Sequence, residues 1–398
     1  MIVQRTFLGG RRCWTGPWRI RVDTKAGGTS NLTMTNYMNS KSSSYPILTD
    51  WGDGTHTVSK DIVSHTYASD GDYVISHYSS DNFTTALLLA GGHENIVEVL
   101  DPFPRLPSVG DGFSTTFAND NYLQTIPSGL FDNNADFITN LSGTFKYIQG
   151  GPLHIPAGLF KSLTKLSNIS GTFSRSVLDY IPDGLFEGMA TIDIARFAFY
   201  SVKASHAGSR IFAGCTGLED ASYCFDDAVI PVFGDDIFNG CTGLTNIGYT
   251  LSDIDTTKSV GARTFANCIS VTSCGYNLTP SNGRDSLKLE SIGDYMWQNC
   301  TALEKTSYFL IGAPKLKTLP PHTFSGCTKL KTLDCLLGEN GAALGAMDLY
   351  LDSCISSVSI SFNGVPAMTA TTQRVIHIPS GCTVPGYQKS KYRVVADN

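Results

Sequence analysis

Large apolar residues recur along most of the chain at a nearly fixed step. Phe131, Phe160, Phe186, Phe212, Phe238, Phe265, Trp297 and Phe324 mark one slot, separated by 29, 26, 26, 26, 27, 32 and 27 residues. The first three close the phrases Ile126-Pro127-Ser128-Gly129-Leu130-Phe131, Ile155-Pro156-Ala157-Gly158-Leu159-Phe160 and Ile181-Pro182-Asp183-Gly184-Leu185-Phe186. A period in this range marks a solenoid, whose single coil cannot bury its apolar side alone. Counted from the slot, position +6 is apolar throughout: Phe137, Leu166, Ile192, Leu218, Leu244, Val271, Leu303 and Leu330. Position +13 holds Phe173, Phe199, Phe225, Leu251, Leu278, Leu310 and Leu337, and falls one later, at Phe145, in the first coil. Phe160 to Leu166 spaces its apolar residues by three and predicts a short helical turn, whereas +8 to +13 alternates and predicts a strand. Stacked coils would align these strands into a long parallel sheet over in-register core columns.

Two columns raise chemistry. Position +3 holds Cys215, Cys241, Cys268, Cys300 and Cys327. Stacked thiols could bind metal or pair, but no CxxC occurs and the five fall one per coil. A small buried hydrophobe filling a tight turn is the expectation. Position +11 holds Phe197, Tyr223, Tyr249, Tyr276 and Tyr308, which suggests a sugar-stacking platform or a core column. Positions +6, +9 and +11 reproduce the Leu-x-x-Leu-x-Leu phase of a leucine-rich repeat, whose third position points inward, so the expectation is core. Positions +8, +10 and +12 then face out. The candidate binding residues on that small, polar face are Arg196, Asp220, Ser222, Asn246, Asn277, Lys305, Phe309 and Asp334. A merely solvated face fits equally.

Before the repeats, Trp18 to Asp23 alternates as a strand, and Ile47-Leu48-Thr49-Asp50 runs into the turn Trp51-Gly52-Asp53-Gly54-Thr55. Gly52 and Gly54 permit positive φ there, and Asp53 can accept from nearby backbone N–H groups. His65-Thr66-Tyr67 and Gly71-Asp72-Tyr73-Val74-Ile75 follow. This ordered triple resembles the polycystic-kidney-disease (PKD) type of immunoglobulin-like β-sandwich, which implies a small module that spaces or presents its neighbours. Asp50, Asp53, His56 and His65 lack diagnostic metal spacing, so turn capping and packing are the expected roles. Ile96 to Leu100 reads as a short strand, and Asp101 to Pro107, with three prolines, as an extended stiff link. Phe113 and Phe117 read as a first, imperfect coil.

Composition narrows the partners. Net charge is −6, only 16% of residues are charged, and no basic patch stands out, which argues against nucleic acid. No stretch approaches the ~18 apolar residues that span a bilayer, so membrane insertion is not expected. The start, MIVQRTFLGGRRCW, carries positive charge without an apolar h-region, so export by the general secretory route is not predicted from it. Cysteines number 11, an odd count that forbids complete pairing within one chain. No HExxH, GxSxG, Walker-type or dinucleotide motif occurs. The acidic pairs Asp226-Asp227 and Asp235-Asp236 read as solvated turn residues, and no cofactor or catalytic residue is expected.

Ile292 to Leu303 and Leu319 to Leu330 resemble the BspA-like leucine-rich repeats of bacterial and phage surface proteins, and Ile138 to Phe145 resembles a sister repeat of the same proteins. Ile376 to Cys382, then Tyr387, resembles the closing strand and cap of such arrays. The expected fold is mainly β with short helical turns: a PKD-like sandwich over 1–92, a connecting strand and cap over 93–121, a leucine-rich-repeat solenoid of about eight coils over 122–345, and a capping region over 346–398. The expected function is a non-enzymatic recognition protein that binds a host surface protein or glycan. It would dock other virion or surface proteins through its N-terminal module, and could self-associate. Phage proteins released by lysis need no export signal, which favours a virion fibre, spike or decoration protein. A bacterial surface adhesin is the alternative, and a carbohydrate-active enzyme a distant third.

Overall fold

A computed structural model describes residues 15–28, 30–35, 38–39, 46–80, 87–88, 95–106, 113–280, 287–307, 309–310, 313, 315–316, 318–334, 347–351, 357, 359–361, 367–368 and 373–397. The expected strand segments before the repeats are all present. Strands β1 (Thr15–Asp23), β2 (Thr33–Thr35), β3 (Met38–Asn39), β4 (Ile47–Asp50), β5 (His56–Ser59), β6 (Ser64–Thr66), β7 (Asp72–Ser79), β8 (Leu87–Leu88) and β9 (Ile96–Val99) occupy this part. Their main sheet is antiparallel in the order β5-β4-β7-β1-β9, with β2-β6 and β3-β8 as separate pairs. Alternation along β1 buries Trp18, Ile20 and Val22. Arg19 and Arg21, on the other face, pair with Asp101, Glu98 and Asp72.

The Trp51–Thr55 turn is held by its own side chains. Gly52 and Gly54 take φ of +84° and +92°. A Cβ on Gly52 would lie 2.7 Å from the Val74 carbonyl oxygen, so glycine is required there for space as well as for φ. Asp50 accepts from the Gly52 N–H at 3.0 Å, and Asp53 from the Thr55 N–H at 2.9 Å. The other Asp53 oxygen meets His65 Nε2 at 2.7 Å. Burial alone would raise the Asp53 pKa, but the Thr55 and His65 hydrogen bonds outweigh it and leave the carboxyl below its usual value. His65 stacks on buried Trp51, and the Tyr67 hydroxyl donates to the Trp51 carbonyl at 2.8 Å. These side chains pack and cap, in the roles their sequence context suggests.

The sheet passes into the repeats without a break in pairing. Glu98 of β9 bridges Thr125 in parallel, and Thr125 bridges His154. Further on, equivalent residues of successive repeats meet at single bridge positions: Asn140, Asn168, Ile194, Asp220 and Asn246, then Ser273, Lys305 and Thr332. A second column widens into β10 (Val232–Phe233), β11 (Ser259–Val260) and β12 (Ser291–Ile292), paired in parallel. Strands β13 (Thr332–Asp334), β14 (Met347–Tyr350), β15 (Ser359–Ser361), β16 (Arg374–Pro379) and β17 (Arg393–Asp397) complete the described chain. All their pairings are parallel, β13 with β15 and β14-β16-β17 together.

Both local expectations for the repeat need correction, for one reason. The slot segment is a run of turns, and the single helical element among the described residues is a 3-10 turn at Asp132–Asn134. The +8 to +13 segment is one bridge residue followed by a six-residue turn, as in 170–175 and 222–227. Left-handed residues interrupt both pieces. Gly188, Gly214 and Asn267, two after the slot, take φ of 73°, 72° and 60°. At +11 and +15 the left-handed residues include Tyr223 at 59° and Asp227 at 57°. Such residues reverse the local winding and end a helix or strand within a few positions.

The core consists of stacked columns. Slot rings lie face to face from Phe131 through Phe160, Phe186, Phe212, Phe238 and Phe265 to Trp297, at centroid distances of 6.1, 4.9, 5.3, 5.0, 5.3 and 4.4 Å. Phe117, Phe145, Phe173, Phe199 and Phe225 make a second ladder at 5.5, 5.5, 5.3 and 4.9 Å. Phe117 thus heads a repeat column. The cysteine column is buried with free thiols. Each thiol donates to the carbonyl of the preceding slot residue, from Cys215 to Phe186 at 3.0 Å through Cys327 to Trp297 at 3.1 Å. Burial pushes the Cys215 thiol up to about 12, so it stays protonated and donating. At +12, Thr250 Oγ1 donates to the Ile247 and Ala221 carbonyls, as Thr172 does to Ile169 and Leu141.

Candidate functional site

The left-handed +11 residue decides which side chains reach solvent. In a strand, +11 and +13 would share one face. Here the reversal at +11 turns that side chain outward and swings +12 in beside +13. Gly171, Phe197, Tyr223 and Tyr249 hold this backbone at φ of 61°, 56°, 59° and 58°. The aromatic column expected in the core therefore lies on the surface. Tyr276, whose coil has its left-handed residue one earlier at Gly275, is 38% exposed, and Phe197, Tyr223 and Tyr249 are half-buried. Tyr308 lies outside the described residues.

The rings form a third ladder. Phe197, Tyr223, Tyr249 and Tyr276 stack at 4.9, 5.1 and 4.7 Å, with interplanar angles of 11°, 7° and 1°. Face-to-face stacking leaves ring edges and phenolic oxygens toward solvent. Among the described residues the Tyr223 and Tyr249 hydroxyls have no hydrogen-bond partner. The ladder continues at its first end into cations. Tyr200 meets Phe197 edge-on at 5.6 Å. The Arg175 guanidinium lies between Tyr200 and Tyr147, 5.5 and 5.6 Å from their centroids. Lys146 covers Tyr147 at 5.9 Å, and Arg196 covers Phe197 at 5.7 Å. The Tyr200 and Tyr147 partners raise the Arg175 pKa further, so this charge is permanent.

The eight candidate residues divide under this geometry. Arg196, Asn246 and Lys305 are exposed. Arg196 borders the ladder and approaches Asp220 at 3.6 Å. Asp220 is half-buried, and its carboxylate caps the turn by accepting from the Ser222 N–H at 2.9 Å and hydroxyl at 2.6 Å. Asn246 caps the next turn through the Gly248 N–H at 3.3 Å. The outward placement fails for Ser222, Asn277 and Phe309, all of which are buried. Asn277 occupies the inward +12 position, donating to the Ile247 and Cys274 carbonyls and accepting from the Leu251 N–H. Phe309, also at +12, packs edge-on against Trp297 and Phe324. Asp334 pairs with Ser361 in β13–β15, and its side chain lies outside the described residues. The solvated-turn reading of Asp226 also fails. It is buried, and burial first, then the Asp253 and Asp227 charges, push its carboxyl up to about 7. Asp236 is instead clasped by Arg263 Nε at 2.7 Å.

Among the described residues, no group of three or more His, Cys, Asp or Glu side chains is placed to hold a metal ion. No helix among them is long and apolar enough to cross a membrane. A shallow groove of about 520 Å³ lies elsewhere, between the turns at Gly158–Thr164 and Gly184–Thr191. It is lined by glycine, alanine, threonine and the apolar Leu163, Leu185 and Met189, with Lys161 and Glu187, and it brings no reactive pair together.

A stack of turn-rich coils, bridged in parallel and cored by one aromatic slot per repeat, is a leucine-rich-repeat type of fold. The sequence matches the BspA type leucine rich repeat region over 124–272 and 232–340, in six copies. These matches together span more than half of the chain, which belongs to that family. No curated protein matches it. Among solved structures, a leucine rich cell surface protein from Faecalibacterium prausnitzii is 16% identical, with 76% of this chain and 77% of that one covered and a TM-score of 0.27. A leucine-rich repeat protein from Bacteroides ovatus is 13% identical, covering 83% and 90%, with a TM-score of 0.24. The T. pallidum leucine rich repeat protein is 16% identical, covering 54% and 75%, with a TM-score of 0.22.

Proposed function

We propose that this protein is a non-enzymatic recognition protein of an extracellular surface, and that it binds through the exposed aromatic ladder. Repeats of this family supply a binding surface rather than a reaction centre, and the setting is a virion or a bacterial cell surface. The N-terminal part, read as a PKD-like sandwich, would present the repeats or dock them to a neighbour.

One observation carries the reading. Phe197, Tyr223 and Tyr249 occupy left-handed positions that disfavour side chains, where the earlier repeats use Gly143 and Gly171. A non-glycine residue in that conformation costs roughly 1–2 kcal/mol. Glycine would serve the turn alone, and the core already has two aromatic ladders. Exposed aromatic side chains kept at a strained position are suited to contact with a partner. The test is a pull-down and a host-cell binding assay comparing the wild type with Tyr223→Ser/Tyr249→Ser. Loss of binding with an unchanged fold is expected, and full retention would refute the ladder as the contact surface.

A further inference from the structure

The ladder's first end carries a feature its tyrosines do not explain. Arg175 lies between Tyr147 and Tyr200, and its Nη1 donates to the Tyr147 hydroxyl at 3.4 Å. Lys146 Nζ also lies over the Tyr147 ring, at 5.9 Å from its centroid. Neither has a carboxylate partner among the described residues. Elsewhere on the repeats the arginines do: Arg196 has Asp220, Arg210 has Glu187 and Arg263 has Asp236. The two flanking rings and the hydrogen bond to the Tyr147 hydroxyl restrict the guanidinium, so less rotamer freedom remains to be lost on binding. A held guanidinium fork without a carboxylate matches a carboxylate bidentately.

We propose that the Tyr147–Arg175–Tyr200 clamp, with Lys146, binds the carboxylate of a uronic-acid polysaccharide whose chain lies along the Phe197–Tyr276 ladder. This rests on the recognition reading above and names its ligand class. After Phe197 the ladder's three tyrosines repeat a polar ring edge at steps of 5.1 and 4.7 Å, about one sugar ring of an extended chain. A regular polymer fits such a row better than a folded protein surface. An acidic peptide would need a free strand edge or a side-chain pocket. The strand edge is taken, since the Phe197 N–H donates to Ser222 and the Tyr223 N–H to Gly248 in the next repeat.

The experiment is titration calorimetry of the full chain with polygalacturonate, its methyl ester and poly-L-glutamate. Polygalacturonate binding is expected, weakening as salt rises. Loss of one charge-assisted hydrogen-bonded contact should weaken binding roughly ten- to a hundred-fold in Arg175→Gln. Arg175→Lys keeps the charge but not the fork and should recover little of it. Full rescue by Arg175→Lys would overturn the clamp and leave net charge as the cause. Equal binding of the methyl ester would overturn carboxylate recognition, and equal binding of poly-L-glutamate would overturn the glycan. No binding of any probe overturns the proposed ligand class. If Arg175→Gln leaves host-cell binding intact while Tyr223→Ser/Tyr249→Ser abolishes it, the clamp falls and the ladder reading stands. If neither substitution affects host-cell binding, both fall. Circular dichroism and a thermal melt of each variant separate lost binding from lost fold.

Discussion

Replacing Tyr223 tests the orientation of the whole aromatic column. Its ring stacks on Phe197 at 4.9 Å and on Tyr249 at 5.1 Å. Each stack is worth about 0.5–1.5 kcal/mol, so removing the ring loses roughly 1–3 kcal/mol. Tyr223→Gly recovers roughly 1–2 kcal/mol because φ is 59° and glycine is unstrained there. It gives back about 0.5–1 kcal/mol through the freer unfolded chain. The net loss for glycine is about 1–2 kcal/mol on these terms. Tyr223→Ala loses the same ring yet keeps the left-handed strain, so it should be the less stable of the two by about 1 kcal/mol. An inward tyrosine on regular strand backbone would give the reverse order, with glycine less stable than alanine by roughly 0.5–1 kcal/mol. Phe225→Ala, in the buried ladder, is the reference for a core position and should cost about 3–5 kcal/mol. Urea unfolding at constant m-value reads all three. Alanine more stable than glycine at position 223, or a glycine loss as large as that of Phe225→Ala, would refute the outward ladder.

Two pH effects of opposite sign should follow from two buried groups. Burial holds His77, packed against Trp18, down to about 4, although the Trp18 backbone hydrogen bond partly opposes this. The unfolded chain binds the proton first, at about 6.5, so stability present above that pH is lost as pH falls toward 4, by roughly 3 kcal/mol. Thermal melts followed by tryptophan fluorescence should show this loss, and His77→Leu should flatten it; an unchanged slope would count against a neutral buried imidazole. Asp226, raised to about 7, works the other way. Its folded state keeps a proton that the unfolded chain releases near pH 4, so its contribution is complete at low pH and lost as pH rises through 7. Asp226→Asn should therefore raise the melting temperature at pH 8 more than at pH 5, and equal effects at both would refute the shift.

The repeat was legible because it depends on identity at fixed steps. A slot residue every 26 to 32 positions needs no knowledge of backbone angles, and among the described residues the slot, cysteine, +6 and +13 columns are buried as their apolar character implies, with Phe137 alone half-buried. The cysteine column was legible by elimination, since five thiols one per coil suit neither pairing nor a metal. What the sequence left obscure is conformational. Period-two reasoning assumes extended backbone between +8 and +13, and a single left-handed residue shifts every later side chain by one. Asn277 and Phe309, which follow left-handed Gly275 and Ser307, were misplaced for this reason, whereas Ser222 precedes left-handed Tyr223 and is drawn in by its two hydrogen bonds to Asp220. Buried Asp226 was obscure for another, because its environment comes from Asp253 in the next repeat.

The signal for the reversal was nonetheless in the chain. Leu141-Ser142-Gly143-Thr144-Phe145 and Ile169-Ser170-Gly171-Thr172-Phe173 place glycine where later repeats place Phe197, Tyr223 and Tyr249. A position that alternates between glycine and large aromatics cannot be a core column, since the core would then lose a whole ring in two repeats. Glycine there means a left-handed turn, and the following threonine, inward at +12, means a hydroxyl that returns to the backbone carbonyls. With the turn fixed by the repeats that use glycine, the aromatic residues of the later repeats must point out. Their stacking with one another then supplies a reason for their presence, and contact with a partner is the separate use proposed above for the same face. Stacking and the stiffer unfolded chain together outweigh the left-handed strain by about 1–2 kcal/mol, as worked for Tyr223→Gly. Stability by itself therefore favours tyrosine over glycine, and the proposed contact with a partner is decided by the binding assays and not by this balance.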